Sequence, residues 1–311
     1  MKKIFSTVVL ICAALAAMAQ VRVATPNIEL ILNAEPGQEL QIAYFGGRLA
    51  DGDLANLQAA GAPNHNAYPP YGFNCPSEAS LAVTHMDGNM STVLKVESVA
   101  QADEPSAKVT RIRLKDTVYP LYVTVCYRAY QDVDMIETWT EIENLEKKPV
   151  TLTRFDSGYL PIRVGDVWVS HLYGTWANEG RLAQEPLERG MMTIKNKDGV
   201  RNAHTDHAEV MFSLDGKPQE NAGRVIGAAL CYSGNYELRI DTRDTDYHQF
   251  FAGINPDNSS YSLASKEVFK TPELALTYSE EGLSGASRNF HRWARNYKIA
   301  HGNKPRKILL N

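Results

Sequence analysis

A hydrophobic period of two runs from Val21 to about Thr277 with almost no helical period to interrupt it. In "LYVTVCYRAY" (121–130), Val123, Val125 and Tyr127 alternate with Thr124, Cys126 and Arg128. After "QDVD", the segment "MIETWTEIEN" returns with Ile136, Thr138, Thr140 and Ile142 on one side. Successive strand side chains point to opposite faces, so the two segments read as a long antiparallel hairpin. "IELILNA" opens the series, and "VTLTRFD", "DVWVSHLYG", "EVMFSLDG", "VIGAALCYSGNYELRID", "HQFFAGINP" and "ELALTYS" continue it. Turn clusters such as "EKKP", "NKDG", "LDGKP" and "NPDNSS" separate these segments. So many strands bury their apolar faces only against another sheet, which predicts an all-β chain built as a large antiparallel two-sheet sandwich.

The period changes near the C-terminus. In "GLSGASRNFHRWARNYKIAHGNKP", Ala286, Phe290, Trp293 and Tyr297 share one helical face, and Arg288, Arg292, Arg295 and Lys298 take the others. This predicts an amphipathic helix, capped by Ser284 or Ser287 and closed by Gly302 and Pro305. "RKILLN" follows, and its apolar run reads as the start of a buried strand belonging to a further domain. The expected division is residues 1–19, 20–282, 283–303 and 304–311.

Residues 1–19 have the pattern of a secretory signal peptide: a basic "MKK", an apolar stretch from Ile4 to Ala16, and a small-x-small Ala17-Met18-Ala19 before Gln20. The apolar stretch is short of the ~20 residues a membrane span needs. The expectation is export, to the periplasm or the exterior. No other segment is apolar enough for a membrane partner, and a net charge of −4 gives no general attraction to nucleic acid or anionic lipid. Cys75, Cys126 and Cys231 permit one disulfide at most and match no zinc spacing; they are read as structural, the latter two in strands. No cofactor is expected.

Two loops mix aromatic rings with polar groups, as a sugar site requires. Tyr68, Tyr71 and Phe73 flank Pro69, Pro70 and Gly72; Trp176, Asn178, Glu179 and Arg181 follow a predicted strand. The candidate substrate-binding residues are Tyr71, Trp176, Asn178 and Glu179. Each set has a structural alternative: a rigid loop packed on the sandwich, or glue to a following domain. His204 and His207, with Asp206 and Glu209, are metal-ligand types, but strand residues three apart face opposite ways, and no metal is assigned. Asp241, Asp244 and Asp246 in "DTRDTD" lack the spacing and glycine of a calcium loop and read as a solvated turn. His171 with Glu179 would suit the acid–base work of an epimerase, on residue type alone. No catalytic residue is assigned.

Further segments carry a resemblance: "AYPPYG" (67–72), "GTWANEGRL" (174–182), "CYSGNYEL" (231–238), "GINP" (253–256) and, most densely, "EVFKTPELALTYSEEGLSGASRNFHRWARN" (267–296). From about Tyr68 to Asn311 the chain resembles the N-terminal β-supersandwich domain of glycoside hydrolase family 36, the α-galactosidase family. The resemblance implies a galactose-mutarotase-like supersandwich, the predicted helix as a linker, and Ile308 to Asn311 as the stub of the first strand of a (β/α)₈ barrel. It implies that two aspartates on that barrel carry out retaining hydrolysis, at positions outside this sequence, and that the chain alone is inactive. The implied substrates are α-galactoside oligosaccharides or polysaccharides, met through the complete enzyme. Many members carry a "G-D-F-R" type loop that approaches a neighbouring subunit; here the place reads "FNCPSEAS" (73–80), without the Asp–Arg pair, so a homo-oligomer stays open. The rival readings are a stand-alone carbohydrate-binding module and a mutarotase-like sugar epimerase.

Overall fold

The computed structural model describes residues 20–50, 52–53, 65–72, 78–201 and 204–305. The expected signal peptide, Phe73, Cys75 and "ILLN" lie outside the described residues. The strands are β1 (Gln20–Ala24), β2 (Ile28–Asn33), β3 (Gln41–Gly47), β4 (His65–Asn66), β5 (Leu81–Thr84), β6 (Leu94–Glu104), β7 (Ala107–Asp116), β8 (Leu121–Tyr130), β9 (Ile136–Asn144) and β10 (Val150–Ile162). They continue as β11 (Trp168–Tyr173), β12 (Arg181–Pro186), β13 (Gly190–Lys195), β14 (Asp206–Ser213), β15 (Val225–Leu230), β16 (Tyr236–Asp244), β17 (Tyr247–Ile254), β18 (Tyr261–Leu263), β19 (Val268–Lys270) and β20 (Leu274–Ser279).

Two antiparallel sheets face each other, as the alternation predicts. The larger runs β12-β11-β14-β15-β20-β9-β8-β7-β6, with β19 also on β9; the smaller runs β13-β16-β17-β10-β18, with β5 also on β10. β20 is thus inserted between β15 and β9 and joins the two halves of the large sheet. A third sheet, β1-β2-β3-β4, adds Val23, Leu30 and Leu32 to the same core. "IELILNA" is therefore β2 rather than the opening strand; β1 precedes it and pairs with it.

The β8–β9 hairpin shows why the faces sort as they do. Val123, Val125, Tyr127, Ile136 and Ile142 point into the main core, while Cys126 packs outside it with Val109 and Trp139. The rest of that outer face is polar, with Arg111–Glu141 at 2.6 Å and Arg113–Glu143 at 2.7 Å across the strands. The core closes between sheets by ring contacts, Phe212 on Phe250 at 5.1 Å and Phe155 on Phe269 at 4.8 Å. Cys231 lies just past β15, at the surface, and not in a strand. In "DTRDTD", Asp241–Asp244 end β16, with Asp241 buried and accepting Arg243 Nε–H at 2.6 Å, and only Thr245 and Asp246 form the expected exposed turn.

Helix α1 (Gly282–Trp293) runs into a π-helical turn, Ala294–Lys298. Ala286 and Trp293 are buried, with Phe290 and Tyr297 partly buried, on the predicted face. Neither serine caps the helix. The first-turn N–H groups of Gly282, Leu283 and Ser284 donate instead to the carbonyls of Gly223, Gln219 and Glu220, at 3.0, 3.1 and 2.9 Å. The turn at 219–223 thus satisfies donors that a side-chain cap would otherwise serve. Gly227 in β15 permits the close approach of α1, because a Cβ there would sit 2.6 Å from Phe290 Cε2. Among the described residues no helix is long and apolar enough to cross a membrane.

Candidate functional site

The candidate residues fall at two places. Tyr71 is 51% exposed in the loop before β5. Its N–H donates to Leu81 O at 2.7 Å and its carbonyl accepts Thr92 N–H at 3.0 Å. Tyr68 is fully buried and donates its hydroxyl to Asp156 O at 2.9 Å, so of the two rings only Tyr71 is presented.

Trp176, Asn178 and Glu179 share the tip of the β11–β12 hairpin, at the edge of the large sheet. Asn178 N–H donates to Thr175 O at 2.9 Å, Ala177 N–H to Glu179 Oε1 at 3.0 Å, and Arg181 Nε to Asn178 Oδ1 at 2.7 Å. Backbone N–H groups, its own and then that of Ala177, hold the Glu179 carboxyl below the usual carboxylate range, aided by the charge of His204. A Cβ on Gly174 would meet Glu179 Cα at 2.6 Å, so the hairpin closes this tightly only with glycine there. Asn178 and Glu179 spend polar atoms on shaping the turn, and Trp176, 81% exposed, is left as its open ring.

The proposed partnership of His171 with Glu179 does not form. His171 Nε2 lies 3.3 Å from Glu185 Oε1, because both sit in the paired β11 and β12 while Glu179 turns back on its own loop. His207 Nδ1 lies 3.5 Å from Glu209 Oε1. A fully buried imidazole–carboxylate pair, His85 with Glu146 at 2.7 Å, is closed by Thr92 and stacked on Tyr119, which leaves no room for a substrate.

Beside the same hairpin, α1 and the outer face of the large sheet enclose a groove of about 480 Å³. Leu172, Leu182, Met211, Leu283 and Phe290 line it, and Leu182 is 58% exposed. The 174–181 turn, an apolar groove and helix α1 therefore share one end of the domain.

The family model of the glycosyl hydrolase family 36 N-terminal domain matches residues 38–264. The chain belongs to this family. The family 36 domain is 30% identical over 214 residues to a bifunctional alpha-galactosidase/sucrose kinase of Mediterraneibacter gnavus, covering 68% of this chain and 22% of that protein. It is also 30% identical over 212 residues to alpha-galactosidase AgaA of Geobacillus stearothermophilus, covering 67% of this chain and 28% of that protein. The chain thus spans about a quarter of the length of these relatives. Among solved structures, a variant of AgaA in complex with stachyose superposes with a TM-score of 0.84 at 24% identity, over 93% of this chain and 45% of that one. The galactosidase domain of the alpha-galactosidase–sucrose kinase matches equally well, at 0.84 and 24% over 93% of this chain and 44% of that one.

One anchor in the family 36 domain escapes a reading of the sequence. Glu137 is fully buried in β9 and accepts from Arg128 at 2.8 Å, Tyr130 at 2.8 Å, Trp293 at 3.0 Å and Lys298 at 2.7 Å. Burial and this carboxylate together push the Tyr130 phenol up. In the sequence Glu137 is one outward residue of an alternating strand; its partners Trp293 and Lys298 arrive only with the helix.

Proposed function

We propose that this domain serves in an exported α-galactosidase, bracing the catalytic barrel and forming one rim of its sugar cleft. The observation that carries the proposal is the family match over residues 38–264, supported by 30% identity to proteins named as α-galactosidases. Neighbouring structures hold stachyose or raffinose, so terminal α-galactosides of that kind are the proposed substrates of the complete enzyme. The chemistry belongs to the barrel, and the domain contributes support through α1 and its groove, with Tyr71 and the Trp176 turn facing saccharide. Export follows from the pattern of residues 1–19.

Two assays test the proposal. The reading frame is followed through the codon for Asn311, and hydrolysis of an aryl α-galactoside is measured for the 311-residue polypeptide and for the product of the complete frame. Turnover by the longer product alone is expected; turnover by the 311-residue polypeptide overturns the division of labour. The exposed Trp176 also favours a second reading, a module that binds saccharide unaided, and binding of raffinose by the isolated polypeptide supports it.

A further inference from the structure

A buried ion pair lies beneath the loop that presents Tyr71. Leu238 and Ile240 in β16 point into the core, so Arg239 between them leaves the opposite face of the small sheet, yet it is buried. Its Nη2 donates to Asp156 Oδ2 at 2.6 Å and to Ala79 O at 3.3 Å, and its Nη1 donates to Glu78 Oε2 at 3.4 Å. Asp156, also buried, stands at a shift of register between β10 and β17. It holds the same loop by its main chain: its N–H donates to Ser80 O at 2.8 Å, and its carbonyl accepts the Tyr68 hydroxyl. Ser80 N–H in turn donates to Pro69 O at 2.7 Å, beside the bond from Tyr71 N–H to Leu81 O. Hydrogen bonds thus run without a break from Arg239 through Asp156 and Ser80 to the 68–71 loop. The Tyr71 side chain makes no hydrogen bond among the described residues, so its ring takes its place from the backbone beneath it.

We propose that Arg239 is a positioning residue: by tying Glu78 and Ala79 to Asp156 it seats the loop and sets the Tyr71 ring for contact with saccharide. The inference rests on the sugar-facing role proposed for Tyr71, and it adds the groups that fix that ring. A buried ion pair is seldom the most stable filling for its space, since apolar residues of similar volume often do as well or better. What this pair supplies is geometry. A planar guanidinium meets acceptors on two segments at once, which neither an ammonium nor an apolar chain reproduces. The register shift at Asp156 is of the kind that re-aims a side chain beside a functional site.

Two measurements test the assignment. Amide hydrogen exchange of the 311-residue polypeptide is compared with that of Arg239→Lys. The amides of Tyr71 and Ser80 are expected to exchange about tenfold faster, with those of the β7–β8 pair unchanged. Equal rates at Tyr71 and Ser80 overturn the seat. Steady-state hydrolysis of raffinose is then followed with the product of the complete frame. Arg239→Lys is expected to raise KM about tenfold with kcat unchanged, as loss of a contact made equally in ground and transition states does. Tyr71→Ala should do the same, and adding Arg239→Lys to it should raise KM no further. A further rise in that background, or a KM that Arg239→Lys leaves unmoved, overturns the inference while the α-galactosidase reading stands. If Arg239→Lys does not fold, Arg239→Met combined with Asp156→Leu, which removes both members of the pair, serves for the same comparisons. A complete product that hydrolyses no α-galactoside removes the α-galactosidase reading instead, and the exchange rates still decide the seat.

Discussion

The indole N–H of Trp293 donates to Glu137 Oε1 at 3.0 Å, between residues 156 apart in the sequence. Lys298 reaches the same oxygen from the π-helical turn, and Arg128 takes the other. The C-terminal helix is thus tied to the large sheet through one buried carboxylate, beside a second tie from Asn289 Nδ2 to Thr277 Oγ1 at 2.9 Å. Removing one member of such a network strands its partners, so Glu137→Ala is expected to cost about 3 kcal/mol, with Glu137→Gln between it and the native protein. Urea unfolding measures this; a loss below about 1 kcal/mol would mean that packing of Ala286 and Trp293 and the Asn289–Thr277 hydrogen bond suffice to hold the helix.

The approach of α1 to β15 makes a second prediction. Gly227→Ala forces the Phe290 ring away and is expected to destabilise by about 1–3 kcal/mol. In the double variant with Phe290→Ala the two losses should fall short of additive, since the clash is gone. Additive losses would place the strain elsewhere, at Thr277, whose Cγ2 lies 3.0 Å from the same Cβ.

His248 gives the expected pH dependence. It is buried, its Nε2 lies 3.1 Å from Val164 O, and its Nδ1 lies 3.0 Å from Thr242 Oγ1. Burial pushes it below its ordinary value of 6.5. The unfolded chain therefore takes up this proton at a higher pH than the folded one. Stability is expected to fall as pH drops below 6.5 and to level off once the folded imidazole has also charged. Denaturant midpoints across that window, compared with His248→Gln, report the slope; an unchanged slope in the variant would assign it to another group.

Trp176→Ala is expected to leave unfolding free energy within about 0.5 kcal/mol of native, since an exposed turn residue buries almost nothing. Fluorescence should lose its most red-shifted contribution, because Trp139 and Trp293 are buried and Trp168 is half-buried. A larger loss of stability would mean that the ring is covered in solution.

Much of the fold is legible in the sequence. Alternation in "LYVTVCYRAY" and "MIETWTEIEN" gives the hairpin and both of its faces, and the 3.6-residue spacing of Ala286, Phe290 and Trp293 gives the helix. The order of strands within each sheet is not legible, because period two fixes which face is buried and not which neighbour is paired. The helix start misleads for a related reason: Ser284 and Ser287 look like caps, and the acceptors that replace them come from a turn some 60 residues earlier. At the candidate site, Trp176, Asn178 and Glu179 read correctly as one loop. The pairing of Tyr173 with Asp206 depends on the shifted register between β11 and β14, which no local pattern announces.

The position of β20 also governs how the molecule can be made. Until Leu274 to Ser279 have left the ribosome, β9 and β15 each present an open edge in the middle of what will be one sheet. Pairing across such a sequence separation is slow, and unpaired edges recruit other chains. A nascent chain stopped short of β20 is thus two sticky half-sheets, and β20 is the zip that closes them. A chaperone that shields those edges during synthesis would protect this protein at its most vulnerable stage.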